Sequence, residues 1–191
     1  LAFQILLNLA QRGKPCLVFD WKKSFRPLLR EDPNILIFNI GNEVCGNYFR
    51  TNVNRPPRGV APKEWILILA DLINEAYFAS HGVHKLVSET LDQAFRDFGV
   101  YDGSDNYPTW RQIKDRLEDK AAELKYRGRE SEWVTSALRI AYSLTFGAFG
   151  DAICHKGPDA MSVEDVLGKN VVFELFSLNV TEKKFFCEYV L

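Results

Sequence analysis

The sequence predicts an α/β chain in which a parallel sheet is interrupted by an all-helical block and then resumed. Two observations carry this. Short apolar runs, "CLVFD", "NILIFNI" and "NVVFELF", stand near the two ends of the chain and have the continuous apolar character of buried parallel strands. Between the second and third of them, from Lys63 to about Gly147, the apolar residues keep a helical period throughout.

Taken in order, the chain opens on "LAFQILLNLAQRG", with Leu1, Ile5, Leu6 and Leu9 in helical phase and Gly13 as the stop. No capping residue precedes it, so the helix starts in its middle, and "TEKKFFCEYVL" ends with its apolar face still running. Both ends read as cuts out of a longer chain. A strand follows at Cys16 to Asp20, then a short amphipathic helix near Ser24 to Arg30 and a second strand from Asn34 to Ile40. The loop "GNEVCGNYFRTNVNRPPRGVAP" is longer than typical connections and marks either a functional segment or a domain boundary. The helical block comprises "KEWILILADLINEAYFAS", "HKLVSETLDQAFRDFG", "TWRQIKDRLEDKAAELKYR" and "ESEWVTSALRIAYSLTFG", and Thr109 with Gln112 forms a capping box at the third. A short helix "SVEDVLG", the strand "NVVFELF" and a last helix complete the order.

The composition, 47% hydrophobic and 26% charged over 191 residues, is that of a globular chain with one good core. A net charge of -1 creates no general field for nucleic acid, so such a partner has to be held by a local patch or by a ring of subunits. Cys16, Cys45, Cys154 and Cys187 stand singly, with no C-x-x-C pair, which points to reduced thiols and a cytoplasmic protein. No apolar run reaches the ~18 residues of a membrane span. "NVT" at Asn179 matches a glycosylation sequon, but nothing else points to secretion.

The first helix, "LVFDWKKSFR", the second strand, "RPPRGVAPKEWILILADLINEAY", "TSALRIAYSLTFGAFGD" and "NVVFELFSLNVTEKKFFCEYVL", in that order, resemble the HerA–FtsK superfamily of P-loop ATPases over nearly the whole chain. The likeness is to archaeal HerA-like proteins and the conjugation ATPases related to them. It implies a parallel-sheet, RecA-like ATPase core, incomplete at both ends, formed by 1–62 and 131–191, with a helical insertion lobe at 63–130. The phosphate loop G-x-x-x-x-G-K-[ST] is then expected before Leu1, and the acidic strand that holds magnesium after Leu191. The implied cofactors are ATP and magnesium. The implied assembly is a hexameric ring of identical subunits acting on DNA in the cytoplasm, with a nuclease or conjugation machinery as partner.

Within that resemblance, Asp20-Trp21-Lys22 matches the D-x-K that follows this strand. Asp20, at a strand tip, either orders water or magnesium near the nucleotide or is a turn aspartate. Lys22 either contacts the nucleotide or is a solvated lysine. Glu174 ends an apolar run like that of a magnesium-binding strand, but Leu175 and Phe176 continue the run, so it is read as the neighbouring core strand, with catalytic base as the alternative. Arg139, on an otherwise apolar helix, pairs with an acid of its own subunit or, alternatively, completes a neighbour's site in a ring. The loop arginines Arg55 and Arg58 face solvent, a neighbour or phosphates. His81 and His84, with Cys154-His155, are poor zinc geometry because Gly82 intervenes. Trp65, Trp110 and Trp133, at helix starts, are assigned to packing.

Three function classes follow: an ATP-driven motor, a dinucleotide-binding Rossmann-type domain in which Asp20 holds ribose hydroxyls, and a non-catalytic helical interaction module. They part on the residues before Leu1, where G-x-x-x-x-G-K-[ST] and G-x-G-x-x-G give different answers.

Overall fold

The apolar runs become parallel strands of one sheet in the computed structural model, which describes residues 1–41, 47–124 and 128–191. The strands β1 (Cys16–Asp20), β2 (Leu36–Asn39), β3 (Asn47–Tyr48) and β4 (Asn170–Glu174) lie in the order β1-β4-β2-β3, all parallel. The last strand in the chain therefore enters between the first two. With a neighbour on each side, β4 is buried from Val171 to Glu174, whereas β1 is only half-buried until Asp20. Its continuous apolar run is what a strand covered on both faces requires.

The two faces are packed differently. On one, α1 (Ala2–Gln11) sets Phe3, Leu6 and Leu7 against Leu28, Ile35, Ile37 and Val172. On the other, Phe173 of β4 touches the rings of Phe19, Phe38, Phe49 and Phe186, with centroids 5.1 to 6.1 Å apart. From this aromatic centre one buried core runs into α2 (Pro62–Tyr77), α3 (His81–Asp97), α4 (Trp110–Glu123), α5 (Arg129–Thr145), α6 (Gly147–Ile153) and α7 (Val180–Val190). Trp65 and Trp110 are buried in it, and Trp65 Nε1 donates to the Val53 carbonyl at 3.0 Å.

The helix ends follow local chemistry. At α4 the Thr109 amide donates to Gln112 Oε1 at 2.7 Å and Thr109 Oγ1 accepts from the Arg111 amide, which forms the anticipated capping box. Asn179 does the same at α7: its Oδ1 accepts from the Glu182 amide and its own amide donates to Glu182 Oε2, both at 2.9 Å. That side chain of the N-x-T triplet is thus committed to a helix start.

The structure also departs from expectation. The segment near Ser24 to Arg30 is a 3₁₀ turn, Arg26–Arg30, since five residues with Pro27 at the start are too few for a stable α-helix. "SVEDVLG" likewise forms only a 3₁₀ turn, Val163–Asp165. Two elements were not anticipated. One is β3, a two-residue strand inside the long loop; the other is α6, which starts where Gly147 takes a positive φ of 64° and breaks the helical path of α5. Residues 42–46 of the loop, with Cys45, and residues 125–127 of the third helical segment lie outside the described residues.

Gly82 shows how closely α3 meets α5: a Cβ built there would overlap the Trp133 ring. Gly82→Ala should gain up to about 1 kcal/mol in helix propensity and lose more to overpacking, for a net destabilisation of about 1–2 kcal/mol. In a Trp133→Ala background the same change should stabilise; urea denaturation of the four variants reads both signs.

Candidate functional site at the strand tips

Parallel strands bring their carboxyl ends to one edge, where ligands of open α/β sheets bind. The register puts Asp20 of β1 opposite Glu174 of β4, and Glu174 opposite Asn39 of β2. Each of the three follows a phenylalanine: Val18-Phe19-Asp20, Ile37-Phe38-Asn39 and Val172-Phe173-Glu174. Because side chains alternate along a strand, the phenylalanines form one row on the helical face. The polar residues form a second row on the α1 face.

Glu174 is 0% exposed, and a carboxylate cannot be buried without partners. Arg26 supplies them as a fork, Nε donating to Oε1 at 2.6 Å and Nη2 to Oε2 at 2.8 Å. Asn39 Nδ2 adds a third bond to Oε2 at 3.0 Å. The other atom of that amide, Asn39 Oδ1, is a buried acceptor with no partner among the described residues.

Arg26 reaches Glu174 because Asp20 shapes the connection after β1. Asp20 is 2% exposed. Its Oδ1 accepts from the Lys22 amide at 2.9 Å and lies 3.5 Å from Ser24 Oγ, and its Oδ2 accepts from the Phe25 amide at 3.0 Å. The loop is thereby drawn back over the sheet, Phe25 and Leu28 enter the second apolar cluster, and the 3₁₀ turn starts with Arg26 over β4. These bonds are those of a turn aspartate, with both oxygens engaged. Lys22 is solvent-exposed, and its backbone amide, not its ammonium, touches Asp20.

The remaining candidates lie elsewhere. Arg139 is on the exposed face of α5, in a hollow formed with Tyr77, Phe78, Val83 and Ile140, where Nη2 meets Ser136 Oγ at 3.3 Å. The acid expected as its partner within the subunit is not there: among the described residues no carboxylate pairs with it, because its helix neighbours are apolar or hydroxylic. Arg55 pairs with Asp105 at 2.8 Å, and the Arg58 amide donates to Glu164 Oε1. His84 meets Asp71 at 2.9 Å and His155 meets Asp159 at 2.6 Å, two separate pairs. Burial pushes the Cys154 thiol up to about 11. Arg26 and Asn39 escaped the reading of the sequence, although the repeated Phe-polar ending of three strands would have pointed to Asn39.

No family model matches this sequence, and no curated protein sequence matches it. A solved structure does: that of VirB4 of Thermoanaerobacter pseudethanolicus superposes with a TM-score of 0.69 at 15% sequence identity, over 98% of this chain and 70% of that one. The α/β fold with a parallel sheet expected from the resemblance is the fold observed, and it is shared with that VirB4 structure. No helix among the described residues is long and apolar enough to cross a membrane.

Removing one partner of a buried ion pair strands the other. Glu174 is the buried partner while the Arg26 side chain is 42% exposed, so Arg26→Ala should lower stability by about 2 kcal/mol, less than for a pair buried on both sides, and Glu174→Gln, which keeps the shape and an acceptor, by less. Urea midpoints at neutral pH compare the two. A loss for Arg26→Ala below that for Glu174→Gln would deny the pair its role.

Proposed function

We propose that this chain is the central part of an ATP-hydrolysing motor of the conjugation type, working as a ring of subunits on DNA. The observation that carries the reading is the backbone likeness to a conjugation-type ATPase along nearly the whole chain, reached from weak motifs whose order matches that family. The strand-tip row supports it, because it lies on the sheet edge where such folds work.

The sequence holds no G-x-x-x-x-G-K-[ST] loop. The carboxylates at the strand tips are engaged, Asp20 by its own loop and Glu174 by Arg26 and Asn39. The nucleotide-holding groups are assigned to the flanking motifs that the resemblance implies, and this chain supplies the scaffold that aligns them. The dinucleotide alternative fits less well, since Asp20 is buried and both its oxygens already accept from its own loop. Domain limits of 1–62 and 131–191 for the core and 63–130 for the lobe belong to this reading. So does a role for Arg139: exposed and, among the described residues, paired with no acid, it is available to a neighbouring subunit's site.

Titration calorimetry of the 191-residue chain with ATP and magnesium should show no binding in the micromolar range. Micromolar binding beside Asp20 would overturn the placement of the phosphate-binding groups. In a longer protein carrying the phosphate loop, Arg139→Ala should leave the melting temperature in place and lower ATP turnover by about a thousandfold, as loss of an arginine finger does. Unchanged turnover would return Arg139 to the surface.

A further inference from the structure

The edge of the sheet that carries the buried polar row also carries an exposed patch of another chemistry. Beyond the tip of β1 stand Trp21, Lys22 and Lys23, beyond β4 stands Phe176, and the start of α7 brings Lys183 beside them. Trp21 is 50% exposed and Phe176 37%. Trp65 and Trp110, by contrast, are buried. Each exposed ring has an ammonium over it: Lys183 Nζ lies 4.9 Å from the Trp21 ring and Lys23 Nζ 3.5 Å from the centre of Phe176.

Among the described residues no carboxylate forms an ion pair with Lys22, Lys23 or Lys183. The acids closest in sequence are occupied: Asp20 by its loop, Glu174 by Arg26, and Glu182 by the Asn179 amide. Two local rules are broken to build the patch. Lys23 takes a left-handed φ of 58°, a conformation costly for any residue with a side chain. Lys183 sits near the N-terminus of α7, where a cation opposes the helix dipole. Local choices that cost stability gather at functional surfaces.

We infer that Trp21, Phe176, Lys22, Lys23 and Lys183 form a binding surface for single-stranded nucleic acid, with bases stacking on the rings and phosphates meeting the ammonium groups. Exposed rings interleaved with cations are the recurring means of holding single strands without reading sequence. With a net charge of -1 the chain has no general field for phosphate, and a local patch is one of the two ways left to hold it. An acidic peptide would use the lysines but leave the rings unexplained. The contact follows from this surface alone, while its purpose, holding the strand that the motor moves, rests on the proposed function. Through Asp20, whose carboxylate holds the Lys22 amide, a bound strand adjoins the loop that positions Arg26.

The test measures binding of a labelled oligothymidylate of about 20 nucleotides to the 191-residue chain, by anisotropy at about 50 mM salt and without nucleotide. Saturable binding is expected, with quenching of the exposed Trp21. Trp21→Ala should weaken it about tenfold or more. Lys22→Gln with Lys183→Gln should weaken it and lower the salt slope by about two, while Lys85→Gln on α3 serves as the distant control. Three results would overturn the inference: no binding, binding that none of the patch variants weakens, or equal binding of a duplex or of polyglutamate without quenching. Displacement of the oligonucleotide by low-micromolar ATP would assign the surface to the mononucleotide instead and overturn it too. Since no step uses ATP turnover, an inactive longer protein would count against the motor reading and leave this one standing.

Discussion

A full negative charge buried at the end of the central strand is the constraint around which the functional edge is organised. Glu174 has no contact with water, and an unpaired carboxylate in that position would cost several kcal/mol. The fork of Arg26 and the amide of Asn39 meet that demand from two other elements. Each must therefore sit in one place: β2 in register with β4, and the 3₁₀ turn over the tip of β4. An apolar residue at 174 would pack without specifying either. The ion pair thus contributes definition to the edge more than net stability.

What delivers Arg26 is a second buried acid that never touches it. Asp20 gathers the amides of Lys22 and Phe25 within five residues and so turns the chain back over the sheet. The turn that brings Arg26 onto Glu174 also leaves Trp21 and Lys22 exposed. A buried polar row and an exposed aromatic and cationic patch are two products of one turn. The aspartate that ends the apolar strand is spent on the turn, while Trp21 and Lys22 after it are exposed and Lys23 lies half-buried over Phe176.

Much of this was legible in the sequence because it depends on periods and on caps. The strand Cys16–Asp20, the helices on either side of the long loop and the Thr109 box follow from apolar spacing and from side-chain oxygens near helix starts. A short helix near Ser24 to Arg30 and the end of the helical block at Gly147 were also legible, but the 3₁₀ form of the first, the α6 that follows the second and the two residues of β3 were not, since each is too short to display its own period. The site was half legible. Asp20 and Glu174 stand out as acids after apolar runs, but their partners are set by register and by loop path, which no local pattern encodes. Asn39 was hidden by being neutral, and Arg26 by lying 148 residues from the acid it serves.

The central claim is that Asp20 and Arg26 act as one device on Glu174 although they share no bond. A double-mutant cycle on unfolding free energy, with Asp20→Ala and Arg26→Met, tests this directly. If the turn is what places the guanidinium, the second change should cost little once the first is made, with a coupling of about 1 kcal/mol or more. Losses that add to within about 0.5 kcal/mol would contradict it and make the turn and the ion pair independent features of the same edge.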